Sequence, residues 1–192
     1  RIAQQLGTSR GPIREALKVL EADGLVVHRP HRGSFVVSLS LGELLDKCEL
    51  RVALETQAVR LLAAGPVPSS NLATLRRIEG ELRRAAADED HYAVSELDRQ
   101  FHDHLCLLSG SRSLHRVYVR EVRDMLGFFA FDKRVYRPLE SMGIEFPPLL
   151  AAIEAGRQAE AAQFIETHIR RSMKLLSCEL RHSIGDAEEG CT

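Results

Sequence analysis

Apolar residues recur at helical spacing along nearly the whole chain, and one short stretch near its start breaks the rule. Ile13, Ala16, Leu17 and Leu20 repeat three and four apart, which predicts a helix with one buried face. That helix is entered through Gly7, Thr8 and Ser9. Pro12 falls in its first turn, where a missing N–H costs nothing, and Gly24 supplies the stop. Before it, Ile2, Ala3 and Leu6 mark the inward side of an earlier helix ending at residue 6. After it, residues 25–29 and 34–37 are short runs rich in β-branched side chains around Pro30, His31, Arg32 and Gly33, a hairpin signal. Helix, turn, helix and hairpin in that order predict a winged helix-turn-helix over residues 1–38. Arg1 already lies within a helical pattern and is not a methionine, so this module reads as incomplete at its start. Beyond a brief connector at residues 38–40, helical periodicity alone remains. It predicts helices over 41–64, 70–88, 91–109, 112–134, 144–155 and 158–182. The expected fold is therefore mostly α: an N-terminal winged helix-turn-helix, an all-α six-helix bundle over 41–182, and a frayed tail over 183–192.

Composition changes little in this picture, but the charge distribution does. The 192 residues are 44% hydrophobic and 28% charged, ordinary for a folded protein, and the net charge is −1. The first 40 residues carry six Lys/Arg against three acids, whereas the rest carry 20 against 24. A small basic head on an acidic body points to a head that meets a polyanion. Arg14 and Lys18 project from one side of the opening helix, Arg10 stands at its entrance, and Arg29, His31 and Arg32 crowd the hairpin tip. In a winged helix the helix enters the major groove of double-stranded DNA, and the wing reaches phosphates or the neighbouring minor groove. An ordinary surface helix with solvated charges is the competing reading for the helix alone. Cys48, Cys106, Cys178 and Cys191 lie far apart, with no zinc-ligand spacing among them. Together with the lack of a long apolar run or signal peptide, this leads us to expect a reducing cytoplasm and no membrane.

Two bundle helices carry polar residues on their apolar stripes. Asp98 falls among Val94, Leu97, Phe101, Leu105 and Leu108, and His102 follows it by one turn. The i,i+4 partnership with Asp98 favours His102 over His104 at the opposite edge. His168 is central to a second stripe that includes Ala161, Phe164, Ile165 and Ser172. A lone inward histidine is usually a hydrogen-bonded core residue. One Asp and two His facing inward add the option of a divalent ion, with Zn, Mn or Ni suited to such donors, or of a site for a carboxylate ligand. Arg120 lies on a helix at the edge of the same cavity, although a solvated face explains it equally well. No nucleophile or general-base motif accompanies these residues, so a metal-dependent hydrolase built on Asp98, His102 and His168 is the weaker alternative and the chain is not expected to be an enzyme.

The runs RIAQQLGTSRGPIREAL, LEADGLV and RPHRGSFV resemble the GntR family of bacterial transcription regulators. The resemblance implies that Ser9, Arg10, Gly11 and Arg14 lie at DNA-reading positions and that Arg32 and Gly33 lie in the wing. Arg51 with Glu55, Asp98-x-x-Phe101-His102, and His168 extend it to the effector-binding domain of the FadR-like branch. There many members hold a metal with one Asp and three His. The segment that should supply the third His, residues 145–153, offers Phe146 instead, which cannot coordinate a metal but can line a pocket for an effector with an apolar part. Arg51 matches a position that often faces the pocket, where its fork can clamp a carboxylate; a surface pair with a neighbouring acid is the alternative. The implied protein is a homodimeric, ligand-responsive regulator that binds a DNA operator and a small organic or sugar acid. A regulator answering to the metal ion itself and a sensor with no metal stand beside it.

Overall fold

Two units make up the computed structural model, Arg1–Leu39 and Ser40–Thr192, and the residues it describes are 2–22, 26–36, 40–66, 68–122 and 146–184. The first unit contains α1 (Ile2–Gln5), α2 (Arg10–Ala22), β1 (Val26–Arg29) and β2 (Gly33–Val36). The strands pair antiparallel with Val26 opposite Val36 and Arg29 opposite Gly33. The turn between them is closed by the Arg32 N–H donating to the Arg29 carbonyl at 3.0 Å. His31 and Gly33 both take left-handed φ values, 61° and 98°; the second suits a residue without a Cβ. Glu21 fastens the helix to the hairpin by accepting the His28 N–H at 3.2 Å.

One expectation for α2 needs correcting. Ile13, Leu17 and Leu20 are half-buried rather than buried, and Ala16 is exposed. Two short helices and a two-stranded ribbon enclose too little volume to cover a helix face. Within this unit Val26 is buried, while Ile2, Leu6, Val19, Phe35 and Val36 are all substantially exposed. The predicted stop at Gly24 lies outside the described residues.

The second unit is helical throughout its described length: α3 (Leu41–Leu62), α4 (Ser69–Ala87), α5 (His91–Leu108), α6 (Arg112–Glu121), α7 (Phe146–Glu154) and α8 (Gln158–Ile184). Predicted and observed ends differ by a residue or two, as fraying termini allow. The predicted continuation of the 112–134 helix past residue 122, and the start of 144–155, lie outside the described residues. Three of the starts have a side-chain cap. Ser40 and Glu43 form a capping box, with the Glu43 N–H donating to Ser40 Oγ at 3.2 Å and the Ser40 N–H to Glu43 Oε2 at 2.9 Å. Asp90 caps α5 by accepting the Ala93 N–H at 3.0 Å, and Ser111 caps α6. Gly156, at φ 69°, ends α7 with its own N–H bonded to the Ile153 carbonyl and that of Arg157 to Ala152.

Of the two predicted bundle stripes, Val94, Phe101, Leu105, Ala161 and Ile165 are buried, and Leu97, Leu108 and Phe164 are partly buried. Val59 and Leu62 of α3, Leu75, Ile78 and Leu82 of α4, Val94, Phe101 and Leu105 of α5, Leu149 and Ile153 of α7, and Ala161 and Ile165 of α8 form one cluster. α3 packs along α8 and also against α5 and α6; α4 packs on α5, and α7 on α8. This arrangement sets the inward faces of α3, α5, α6 and α8 around a shared interior, with the start of α7 beside it.

Candidate functional site

Four buried charged or ionisable side chains and one more histidine meet in that interior. On α3, Arg51 and Glu55 are one turn apart, and Arg51 Nε donates to Glu55 Oε1 at 2.6 Å. Arg51 is 4% exposed and Glu55 is fully buried, so the surface pair considered as an alternative for Arg51 is overturned. On α5, which Asp90 caps, Asp98, Phe101, His102 and Leu105 are all buried. His102 Nδ1 lies 2.5 Å from Glu55 Oε2, and its Nε2 lies 3.5 Å from Asp98 Oδ1. From α8 comes His168, whose ring centre is 5.2 Å from that of His102. Asp98, His102 and His168 are all buried, and each offers a ligand atom within 4.8 Å of the others. His104, the residue set aside, is half-buried and bonds the Gln100 carbonyl of its own helix at 2.8 Å.

Burial would raise the carboxyls of Glu55 and Asp98, but nearby positive charge outweighs it. Arg51 and His102 hold Glu55 below the usual range, and His102, His168 and Arg51 hold Asp98 down to about 2. For His102, burial and Arg51 favour the neutral ring, while Glu55 and Asp98 favour the charged one and prevail, so its pKa is raised.

Several polar atoms here have no hydrogen-bond partner: Asp98 Oδ1, His102 Nε2, Arg51 Nη2, Tyr118 Oη and Thr56 Oγ1. Buried polar atoms left unpaired are costly, and such a group in a native core calls for an explanation. The first two fit a cation. In its neutral form, with the Nδ1 proton held by a carboxylate, His102 would present Nε2 as a lone pair, the arrangement typical of a metal-ligating histidine. Donors on a tetrahedral zinc ion lie about 3.4 Å apart, so closing on an ion would ask the widest pair to approach by up to about 1.4 Å. Phe146, at the start of α7, is fully buried. It stacks on Phe101 at 3.9 Å between ring centres and lies 5.7 Å from His102 and 5.0 Å from His168. It occupies space beside both imidazoles without offering a donor.

Not every candidate residue arrives at this centre. The side chain of Arg120 is three-quarters exposed and pairs with Glu121 at 2.7 Å, so its expected part in effector binding is withdrawn: the amphipathic register of α6 places it on the solvent side. Tyr118, two residues earlier, is completely buried and was not anticipated; Leu114, Tyr118 and Val122 at four-residue spacing carried the signal. Glu55 was recognised beside Arg51, but not its bond to His102, which joins residues 47 positions apart. In the first unit, Ser9, Arg10, Gly11 and Arg14 lie at the start of α2 and Arg32 and Gly33 at the hairpin turn, all exposed. Lys18 pairs with Glu15 at 2.9 Å; among the described residues neither Arg10 nor Arg14 pairs with an acid.

Comparison with known proteins bears on both units. Residues 1–36 match the gntR family of bacterial regulatory proteins and residues 46–171 match the FCD domain. The chain is 31% identical over 174 residues to the Nta operon transcriptional regulator of Aminobacter aminovorans, covering 88% of this chain and 79% of that protein. It is also 31% identical to a "Probable D-xylose utilization operon transcriptional repressor" of Paenarthrobacter nicotinovorans, covering 87% and 72%. Among solved structures, McbR/YncC of E. coli shares the fold, with a TM-score of 0.72 at 22% identity over 93% of this chain and 85% of that one. A GntR family member from Pseudomonas syringae pv. tomato aligns with a TM-score of 0.61 at 26% identity, over 97% and 77%. The two curated relatives are a transcriptional regulator and a probable transcriptional repressor, which sets the hydrolase alternative aside.

Proposed function

The chain belongs to the gntR family of bacterial transcription regulators in the form that carries an FCD effector domain, and from that premise we propose how its two units work. The head binds an operator in double-stranded DNA, with Ser9, Arg10, Gly11 and Arg14 at the reading end of α2 and Arg32 and Gly33 supporting the wing. The helical unit holds a divalent ion, Zn, Mn or Ni, through Asp98, His102 and His168. Three protein ligands leave at least one position open, which takes the carboxylate of a small organic or sugar acid, and Arg51 lies near enough to attract it. Phe146 closes the apolar side of that space. The protein acts as a homodimer in the cytoplasm, its two heads matching a two-fold operator. The acid shifts the heads between two placements by binding one of them better.

The observation that carries this reading is the pair of unpartnered buried atoms, Asp98 Oδ1 and His102 Nε2, beside a histidine whose second nitrogen is already held by Glu55. Elemental analysis of the purified protein, followed by operator binding with and without added acids, tests it. Bound metal near one ion per chain and an acid-dependent change in operator affinity are expected, both lost in His168→Ala. A second reading, a sensor that binds its acid with no metal, is favoured by Phe146 standing where a further ligand would be; metal-free protein that answers to acids would establish it. Operator affinity that follows Zn, Mn or Ni alone, with no acid present, would instead make the ion the signal.

A further inference from the structure

One acid stands on the outward side of α2. Successive residues of a helix are turned by about 100°, which groups Gly11, Arg14, Glu15 and Lys18 on one side. Ile13, Leu17 and Leu20, all half-buried, take the other. The Glu15 and Lys18 side chains are 70% and 62% exposed, and Glu15 is the only acid between Arg10 and Leu20. On a helix that meets DNA, phosphates repel a carboxylate placed there. An exposed pair three residues apart also stabilises its helix only slightly. The acid is therefore unfavourable unless it makes a contact that an uncharged side chain cannot.

Its geometry supplies one. Lys18 Nζ donates to Glu15 Oε1 at 2.9 Å, and among the described residues Glu15 Oε2 has no partner. The ammonium keeps further protons to give, so the pair presents a donor and an acceptor side by side. A G·C base pair presents the complement in the major groove: guanine N7 and O6 accept, and cytosine N4 donates next to them. O6 and N4 are hydrogen-bonded to each other and so lie about 2.9 Å apart, the spacing of the two side-chain groups. Lys18 can then span the guanine acceptors while Glu15 accepts from cytosine. An A·T pair alternates acceptor, donor and acceptor, with the thymine methyl beyond, so Lys18 finds one acceptor fewer beside the donor that Glu15 needs. We propose that Glu15 and Lys18 act as one unit that reads a single G·C pair in the operator, Glu15 both positioning Lys18 and accepting from the cytosine amino group.

This inference rests on the operator-binding role proposed for α2, and its test separates the two. Full-length protein selects duplexes from a random library, and the selected operator is compared with random DNA by gel-shift titration at one fixed salt concentration. Wild type, Glu15→Ala, Lys18→Ala and the double variant are run in parallel, with helix content checked by circular dichroism. Wild type should prefer G·C at one position of each half-site by about tenfold or more, the value of a good base contact. Glu15→Ala should abolish that preference and leave the others. It also removes a charge that phosphates repel, so affinity for random DNA should rise while affinity for the operator falls. A residue that only stabilises the helix, or only repels phosphate, does not produce those opposite signs. Lys18→Ala should relax the same position, and the double variant should relax it no further. If Glu15→Ala tightens operator and random DNA alike, or weakens both, the reading role is disproved. Single variants that relax different positions, or an A·T preference at the shared one, would disprove the joint unit. In each of these cases a selected operator still upholds the operator-binding reading. If wild type selects no sequence, that reading fails and this inference falls with it.

Discussion

At the level of single side chains, the interior is a problem in charge placement. Arg51, Glu55, Asp98 and His102 are each nearly or fully excluded from water, and every one would be unfavourable there alone. Together they form a chain in which Arg51 compensates Glu55, Glu55 orients His102, and His102 faces Asp98. Replacing Glu55 by Gln keeps the shape but weakens the hold on His102 Nδ1, so affinity for zinc should fall about 10–100-fold; competition against a chelator measures it. The same chain predicts how stability follows pH. Because His102 is raised above its ordinary value of 6.5 by Glu55 and Asp98, its contribution is fully present below pH 6.5 and is lost as pH rises through the raised value. Thermal midpoints of metal-free protein should therefore drop as pH rises above 6.5. Zinc requires the neutral ring, so the loaded protein should show no such drop, and its margin over the metal-free form should widen with pH.

Among the helices, position matters through register. α5 supplies two of the three candidate ligands, and docking the helix one residue out of register, a rotation of about 100°, would carry Asp98 and His102 off the interior. Asp90 caps the start of α5 by accepting the Ala93 N–H. Asp90→Ala should cost about 1 kcal/mol in chemical unfolding while zinc affinity in the folded protein stays within about twofold, since packing of Val94, Phe101 and Leu105 holds the register once the helix is docked. A large loss of zinc binding would mean that the cap, not the packing, positions the ligands. α7 works differently: its first residue, Phe146, stacks on Phe101 of α5, while its last, Glu154, accepts a hydrogen bond from Arg76 of α4 at 2.6 Å.

For the whole molecule, charge asymmetry and the two units agree on a division of labour between a basic head and a larger helical body. If Arg14 touches a base edge, Arg14→Ala should weaken operator binding by about 1–3 kcal/mol and relax preference at one position. A loss equal on operator and random DNA would assign it to phosphate contact instead. Gel-shift titration on both sequences at one fixed salt concentration separates these outcomes.

Much of this was legible along the chain, for reasons specific to its elements. The helices of the body announce themselves because a 3.6-residue period is a local property, and Ser40, Asp90 and Ser111 are short-range capping signals that need no tertiary context. Asp98, His102 and His168 stood out because polar residues on apolar stripes are visible as violations. What could not be read was whether a charged residue on a helix turns to water or to a partner. Arg51 and Arg120 looked alike in sequence; packing against α5, α6 and α8 buries the first with Glu55, and the solvent side of α6 takes the second. The Glu55–His102 bond and the place of Phe146 against two imidazoles join helices distant in sequence. Such contacts depend on helix crossing and rotation, which are set by how ridges of many side chains interlock, and no single segment carries that information.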